Sequence, residues 1–195
     1  MLPFRRFELR PGFLIGIAAA LLLLPLKWLI ALSLAAGFHE FCHLAALRLC
    51  GRQAGGIHLT AGGALIHGPP LPPAQALLCS LAGPVGGLTL LCLSRWFPRL
   101  ALCAAIQSAY NLLPVSGLDG GHALHHFTAL FLPPRAAEAV CRLIQGIILI
   151  AAGILGFYGT FIFRLGLLPI LAAGSLVIKG TNGKIPCKTR PMQVQ

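Results

Sequence analysis

The chain has 195 residues, 57% of them hydrophobic and 10% charged, against roughly 45–50% and about 25% in ordinary soluble domains. So few charges cannot cover a water-facing surface, and so many apolar side chains exclude disorder, which leaves an integral membrane protein. The net charge of +11 comes from cations between apolar runs and at the termini, a pattern that orients membrane spans and gives no reason to expect a nucleic-acid partner.

In chain order, six apolar windows read as transmembrane helices: about 11–26, 28–49, 74–94, 100–113, 139–158 and 161–178, judged against the roughly 20 residues that a span needs. The expected fold is an all-α polytopic membrane protein, one membrane domain over 1–195 with about six transmembrane helices. Arg5, Arg6 and Arg10 precede the first window. Cleavage of a signal peptide is not expected there, because the apolar stretch resumes past Lys27 without a clear small-residue cleavage site. With the N-terminus inside, Arg5, Arg6, Arg10, Arg48, Arg52, Arg135, Arg142, Lys179, Lys184, Lys188 and Arg190 fall on the inner face. Lys27, Arg95, Arg99 and Arg164 fall outside. That bias predicts a multi-pass protein of the cell membrane with both termini cytoplasmic.

Between the second and third windows, 55–67 alternates on both sides of Gly62-Gly63 and reads as a small membrane-associated β-hairpin. The Gly-Pro-Pro-Leu-Pro-Pro run over 68–73 then breaks any regular structure. The fourth window is short and stops at Pro114; a broken helix at membrane depth is tolerated only where protein or a wet cavity surrounds it. The tail over 180–195 is polar and basic and is expected to be loose. Seven scattered cysteines without paired spacing read as small hydrophobes, not as a disulfide frame or metal knot.

Two intramembrane acids are costly enough to demand a reason: Glu40 and Asp119. Glu40 belongs to His39-Glu40-Phe41-Cys42-His43, an H-E-x-x-H pattern inside the second window. Residues four apart on a helix share a face, so the two imidazoles can close on one Zn²⁺, with Glu40 placed to take a proton from an attacking water. Two imidazoles and a water leave a tetrahedral site one ligand short. Asp119 lies beyond the break of the fourth window, at the same depth and on the same side as His43 under the topology above. The bland reading of Asp119 is a helix N-cap for a segment starting near Gly120. His122, three residues on, is an alternative third ligand, and with His125 and His126 it also suits a water-accessible mouth.

H-E-x-x-H in one span, with Asn111-Leu112-Leu113-Pro114 and Leu118-Asp119-Gly120-Gly121 in a later one, resembles the site-2 protease family of intramembrane zinc metalloproteases. The resemblance covers about 28–130, the expected catalytic core, and at this length implies a compact form without an appended regulatory domain. It implies that His39, His43 and Asp119 bind Zn²⁺, that Glu40 is the general base, and that Asn111 contacts substrate. It also implies a substrate-binding hairpin turning at Gly62 and Gly63. The chain departs from the family pattern at Gly87, where Asn is usual in the Ala82-Gly83-Pro84 stretch, and at Leu112 and Gly117, where prolines are common. The implied activity is hydrolysis of a peptide bond within or near a transmembrane segment of a membrane-protein substrate. The lipid bilayer is then a constant partner, with a regulatory membrane protein or a homo-oligomer left open. A zinc transporter or metal sensor would use the same ligands but would want several stations through the membrane. A proteolytically dead relative would have no need of an intact motif.

Overall fold

Proline marks most of the helix starts. Helix α1 (Leu26–Leu49) follows Pro25, while α2 (Pro73–Thr89), α3 (Pro98–Asn111) and α5 (Pro134–Phe157) each carry proline in the first turn. Its fixed φ suits that turn, and its missing N–H would have found no partner there. Helix α4 (Asp119–Phe131) instead follows an extended Leu118, and α6 (Leu168–Asn182) closes the helical part of the chain. A 3₁₀ turn, Leu90–Leu93, extends α2, and a π turn, Tyr158–Ile162, extends α5. The computed structural model describes residues 7–9, 21–22, 24–52, 56–60, 63–67, 70–164, 166–182 and 193–194.

Three helical stretches are long and apolar enough to cross a membrane: Leu26–Leu49, Pro73–Leu93 and Pro134–Ile162. They coincide with the second, third and fifth predicted windows. The fourth window becomes α3, whose 14 residues reach only about 21 Å against a hydrocarbon core of roughly 30 Å. The sixth window, 161–178, begins earlier than the helix it predicts. Its first residues finish α5, and the chain then turns through Arg164 (φ 51°) and Gly166 (φ 79°) before the 15-residue α6 begins. Of the first window, 11–20 and 23 lie outside the described residues. Six spans are therefore more than the described helices provide.

Packing is graded by side-chain size. Many buried positions are small, including Ala31, Ala35, Ala76, Ala101, Ala104, Gly83 and Gly87, while many large apolar residues, such as Ile30, Leu34, Phe41 and Leu78, face outward. This is how helices associate when the surroundings are as apolar as their own side chains, because close backbone approach then supplies the attraction. Helix α1 lies along α2 and α3, α2 packs on α4, α4 on α5, and α5 on α6.

Strands β2 (Gly56–Thr60) and β3 (Gly63–His67) pair antiparallel, Thr60 opposite Gly63 and Gly56 opposite His67. Two short strands flank them. Strand β1 (Phe7–Leu9) joins β2 in parallel, and β4 (Gln193–Val194) joins β3 at Ile66 and His67, giving the order β1-β2-β3-β4. The tail expected to be loose from Gly180 onward is thus helical through Asn182 and returns to the sheet at 193–194.

Candidate metal centre

The helical period sets half of the site. His39 and His43 are one turn apart on α1 and are both 1% exposed, their rings 4.8 Å apart between centroids and nearly perpendicular. Asp119, the first residue of α4, enters from the far side with 0% exposure. Its Oδ2 lies 3.0 Å from His39 Nε2 and 3.2 Å from His43 Nε2, and the two Nε2 atoms are 3.2 Å apart. Asn111, at the end of α3, brings its Nδ2 to 3.4 Å from His39 Nε2. Glu40 sits on the same turn of α1, half-buried.

Hydrogen bonding behind the cluster fixes its chemistry. His43 Nδ1 lies 2.7 Å from the carbonyl oxygen of Cys79 on α2. A carbonyl only accepts, so Nδ1 carries a proton, and a neutral ring held this way turns the lone pair of Nε2 into the cluster. Asp119 Oδ1 and His39 Nδ1 are buried without a hydrogen-bond partner among the described residues. Two imidazole nitrogens and a carboxylate therefore converge in a buried place, where neutral imidazoles offer more lone pairs than protons. A cation satisfies them. Metal–ligand bonds of about 2.0–2.1 Å in a tetrahedron put neighbouring donors about 3.3 Å apart, close to the observed triangle. Among the described residues this is the one His/Cys/Asp/Glu group suited to a metal ion, and three donors leave a fourth position for water or substrate.

The chain around Asp119 is bent to deliver that carboxylate. Gly117 has φ of 88°, in the left-handed region where a side chain is strained. A Cβ at Gly120 would strike the Leu112 carbonyl, and one at Gly121 the Val115 carbonyl, because the 112–116 loop folds back over the first turn of α4. The Gly-Gly pair after Asp119 is thus a matter of space.

In sequence, no protein-family model and no curated protein matches the chain. In structure, the solved site-2 protease from Methanocaldococcus jannaschii matches with a TM-score of 0.60, covering 93% of this chain and 94% of that one at 18% identity. The fold is that of a site-2 protease. Like the three apolar spans, it makes the chain a helical membrane protein.

Placed in this site-2 protease-like fold, His39, His43 and Asp119 come together, with Asn111 beside them. His122 does not join, since the three-residue group closes without it. Asp119 is not the N-cap either; Leu118 holds that place, and Asp119 opens the helix. Gly63 begins β3, and Gly62 lies outside the described residues. Two departures from the family pattern have local reasons. Gly87 faces Ser108, whose Oγ fills the space a larger side chain would need, and Gly117 has a φ that proline, locked near −65°, cannot adopt.

Two contributors escaped the sequence reading. The Cys79 carbonyl is a backbone group and leaves no side-chain signal. Gly83 sits against the His43 ring itself, which a Cβ there would hit, and a glycine in an apolar helix does not name its neighbour.

Proposed function

We propose that this chain is an intramembrane zinc metalloprotease of the site-2 protease type, cutting a peptide bond within or near a transmembrane segment of a membrane-protein substrate. The observation that carries the reading is the buried triangle of His39, His43 and Asp119 donors with Glu40 on the same helical turn. The shared fold supports it. His39, His43 and Asp119 would hold Zn²⁺, which when bound polarises a carbonyl as a Lewis acid and brings the pKa of a water to about 7.

The other steps belong to the chain's own groups. Glu40 takes the proton from the attacking water and returns it to the leaving amine. Asn111, held at the edge of the cluster, donates its amide N–H to the substrate carbonyl oxygen as negative charge builds there. Burial of the donors excludes bulk water and strengthens each of these interactions. A helical substrate hides its carbonyls in i→i−4 bonds and must unwind first. Strand pairing could hold the unwound segment. Strand β1 lies along β2 and β4 covers the end of β3, so among the described residues the stretch of β3 at Gly63, Ala64 and Leu65 is the place for it. A single donor cluster among the described residues suits catalysis better than a transporter's series of stations. The distribution of cations supports a cytoplasmic side for both termini.

The test uses the purified chain in detergent with a substrate span fused to a reporter. Wild type is expected to bind one zinc per chain and to cut, and a chelator should abolish cutting. Asp119→Ala should lose the metal. Glu40→Gln should keep the metal while cleavage falls by about 10²–10⁴-fold, the usual worth of a general base. Full cleavage by a zinc-loaded Glu40→Gln protein would refute the role given to that carboxylate.

A further inference from the structure

Helix α5 carries one polar side chain, Gln145, in the otherwise apolar stretch 143–157. An amide in such surroundings must find partners or be expensive, and both of its ends are used. Ser116 N–H donates to Gln145 Oε1 at 3.1 Å, and Gln145 Nε2 donates to the Gly180 carbonyl of α6 at 3.0 Å. The Ser116 hydroxyl lies 2.7 Å from Gln145 Oε1 and 3.0 Å from the Gly180 oxygen, one proton facing two acceptors. Gly180 stands in the last turn of α6, where carbonyls have lost their intrahelical partners. A side chain there would crowd Gln145 Nε2, Leu149 and Val115 at 3.1–3.3 Å.

Ser116 lies three residues before Asp119, inside the loop that aims the carboxylate. Its neighbours Val115 and Leu118 are 0% and 1% exposed and pack with Leu176 of α6 and with Ile148 and Leu149 of α5. At the other end of the loop, the Tyr110 hydroxyl is 2.9 Å from Ser175 Oγ, and Lys179 Nζ stands 5.4 Å over the Tyr110 ring. Helices α5 and α6 thus supply no donor to the cluster, yet they grip both flanks of the segment that supplies the third one.

We infer that Gln145, with the Gly180 carbonyl, is a positioning residue for Asp119, so that the α5–α6 pair decides how firmly the metal is held. The inference rests on the metal-site reading above. It extends the working core from 28–130 to include residues near 145 and 180.

The experiment measures zinc affinity of the full chain in detergent by competition with a chromophoric chelator, alongside helicity and melting temperature. Gln145→Leu keeps the volume and removes both ends of the clamp. Ser116→Ala removes only the hydroxyl. Gly156→Ala is the control, because its Cβ presses on Ala173 and Pro169 in the α5–α6 contact, away from the clamp. Outer partners of metal ligands typically govern affinity by about 10–100-fold. Gln145→Leu is expected to weaken zinc binding by about that factor and Ser116→Ala by a smaller one. Gly156→Ala should lower the melting temperature with zinc affinity unchanged. Zinc affinity within about twofold of wild type in Gln145→Leu would overturn the inference. Should that variant fail to fold, Ser116→Ala decides alone, an unchanged affinity overturning it and a weakened one supporting it. A wild type that binds no zinc sinks the metal site and the clamp with it; a loaded wild type with unaffected variants sinks the clamp only.

Discussion

At the scale of single residues, the site depends as much on what is missing as on what is present. The His43 ring occupies the space where a side chain at position 83 would begin, so glycine there lets α2 approach α1 closely enough for the Cys79 carbonyl to orient that ring. Gly83→Ala should therefore act twice. Overpacking a tight interior costs about 1–3 kcal/mol, and a displaced imidazole weakens metal binding. The measurement is zinc content beside melting temperature. Gly37, with open space around its Cβ position, is the comparison, and Gly37→Ala should leave zinc content intact. The exposed pair of Glu138 and Arg142, 3.2 Å apart and one turn from each other on α5, behaves differently. Its removal should cost no more than about 0.5 kcal/mol.

At the scale of elements, the loop between α3 and α4 is the part that the chain's other segments serve. Gly117 gives it a left-handed residue, the two glycines after Asp119 let it fold back on the helix start, and Val115 and Leu118 bury it against α5 and α6. Gly117→Pro would install the residue common in the pattern that the sequence resembles, yet it is expected to fail here, because φ of 88° and a proline ring are incompatible. The expected result is loss of bound zinc with α1 and α2 still helical, read by metal analysis and circular dichroism. Much of this region was legible from sequence. The i,i+4 histidines declare themselves through helical periodicity alone, and Asp119 through being an acid beside an apolar stretch, where a charge needs a partner. Helix α4 gives no apolar window, because Asp119, His122, His125 and His126 dilute the hydropathy that marks the other helices. Nor were β1 and β4, strands of three and two residues whose partners lie some fifty and well over a hundred positions away. Chain order carries no record of such pairings.

At the scale of the whole molecule, the donor triangle ties α1 to α4 across 80 positions of sequence, and without a cation it is a defect in the interior. An Asp119 carboxylate, 0% exposed, then faces imidazole nitrogens without bulk solvent to stabilise its charge. Metal binding should therefore stabilise the fold as well as equip it. A ligand that binds only the folded state adds about 2.7 kcal/mol at a hundredfold excess over its dissociation constant. For a chain of this length a kcal/mol is worth about 2–4 °C, so wild type is expected to melt about 5–11 °C higher with zinc than after chelation. Asp119→Ala should respond to neither addition nor removal of zinc, because two imidazoles alone hold the ion weakly. Glu40→Gln should keep the full wild-type shift while failing to cut, which separates the residue that works on the proton from those that hold the metal. Equal melting of the zinc-loaded and chelated wild-type protein would mean that the triangle is held by hydrogen bonds alone.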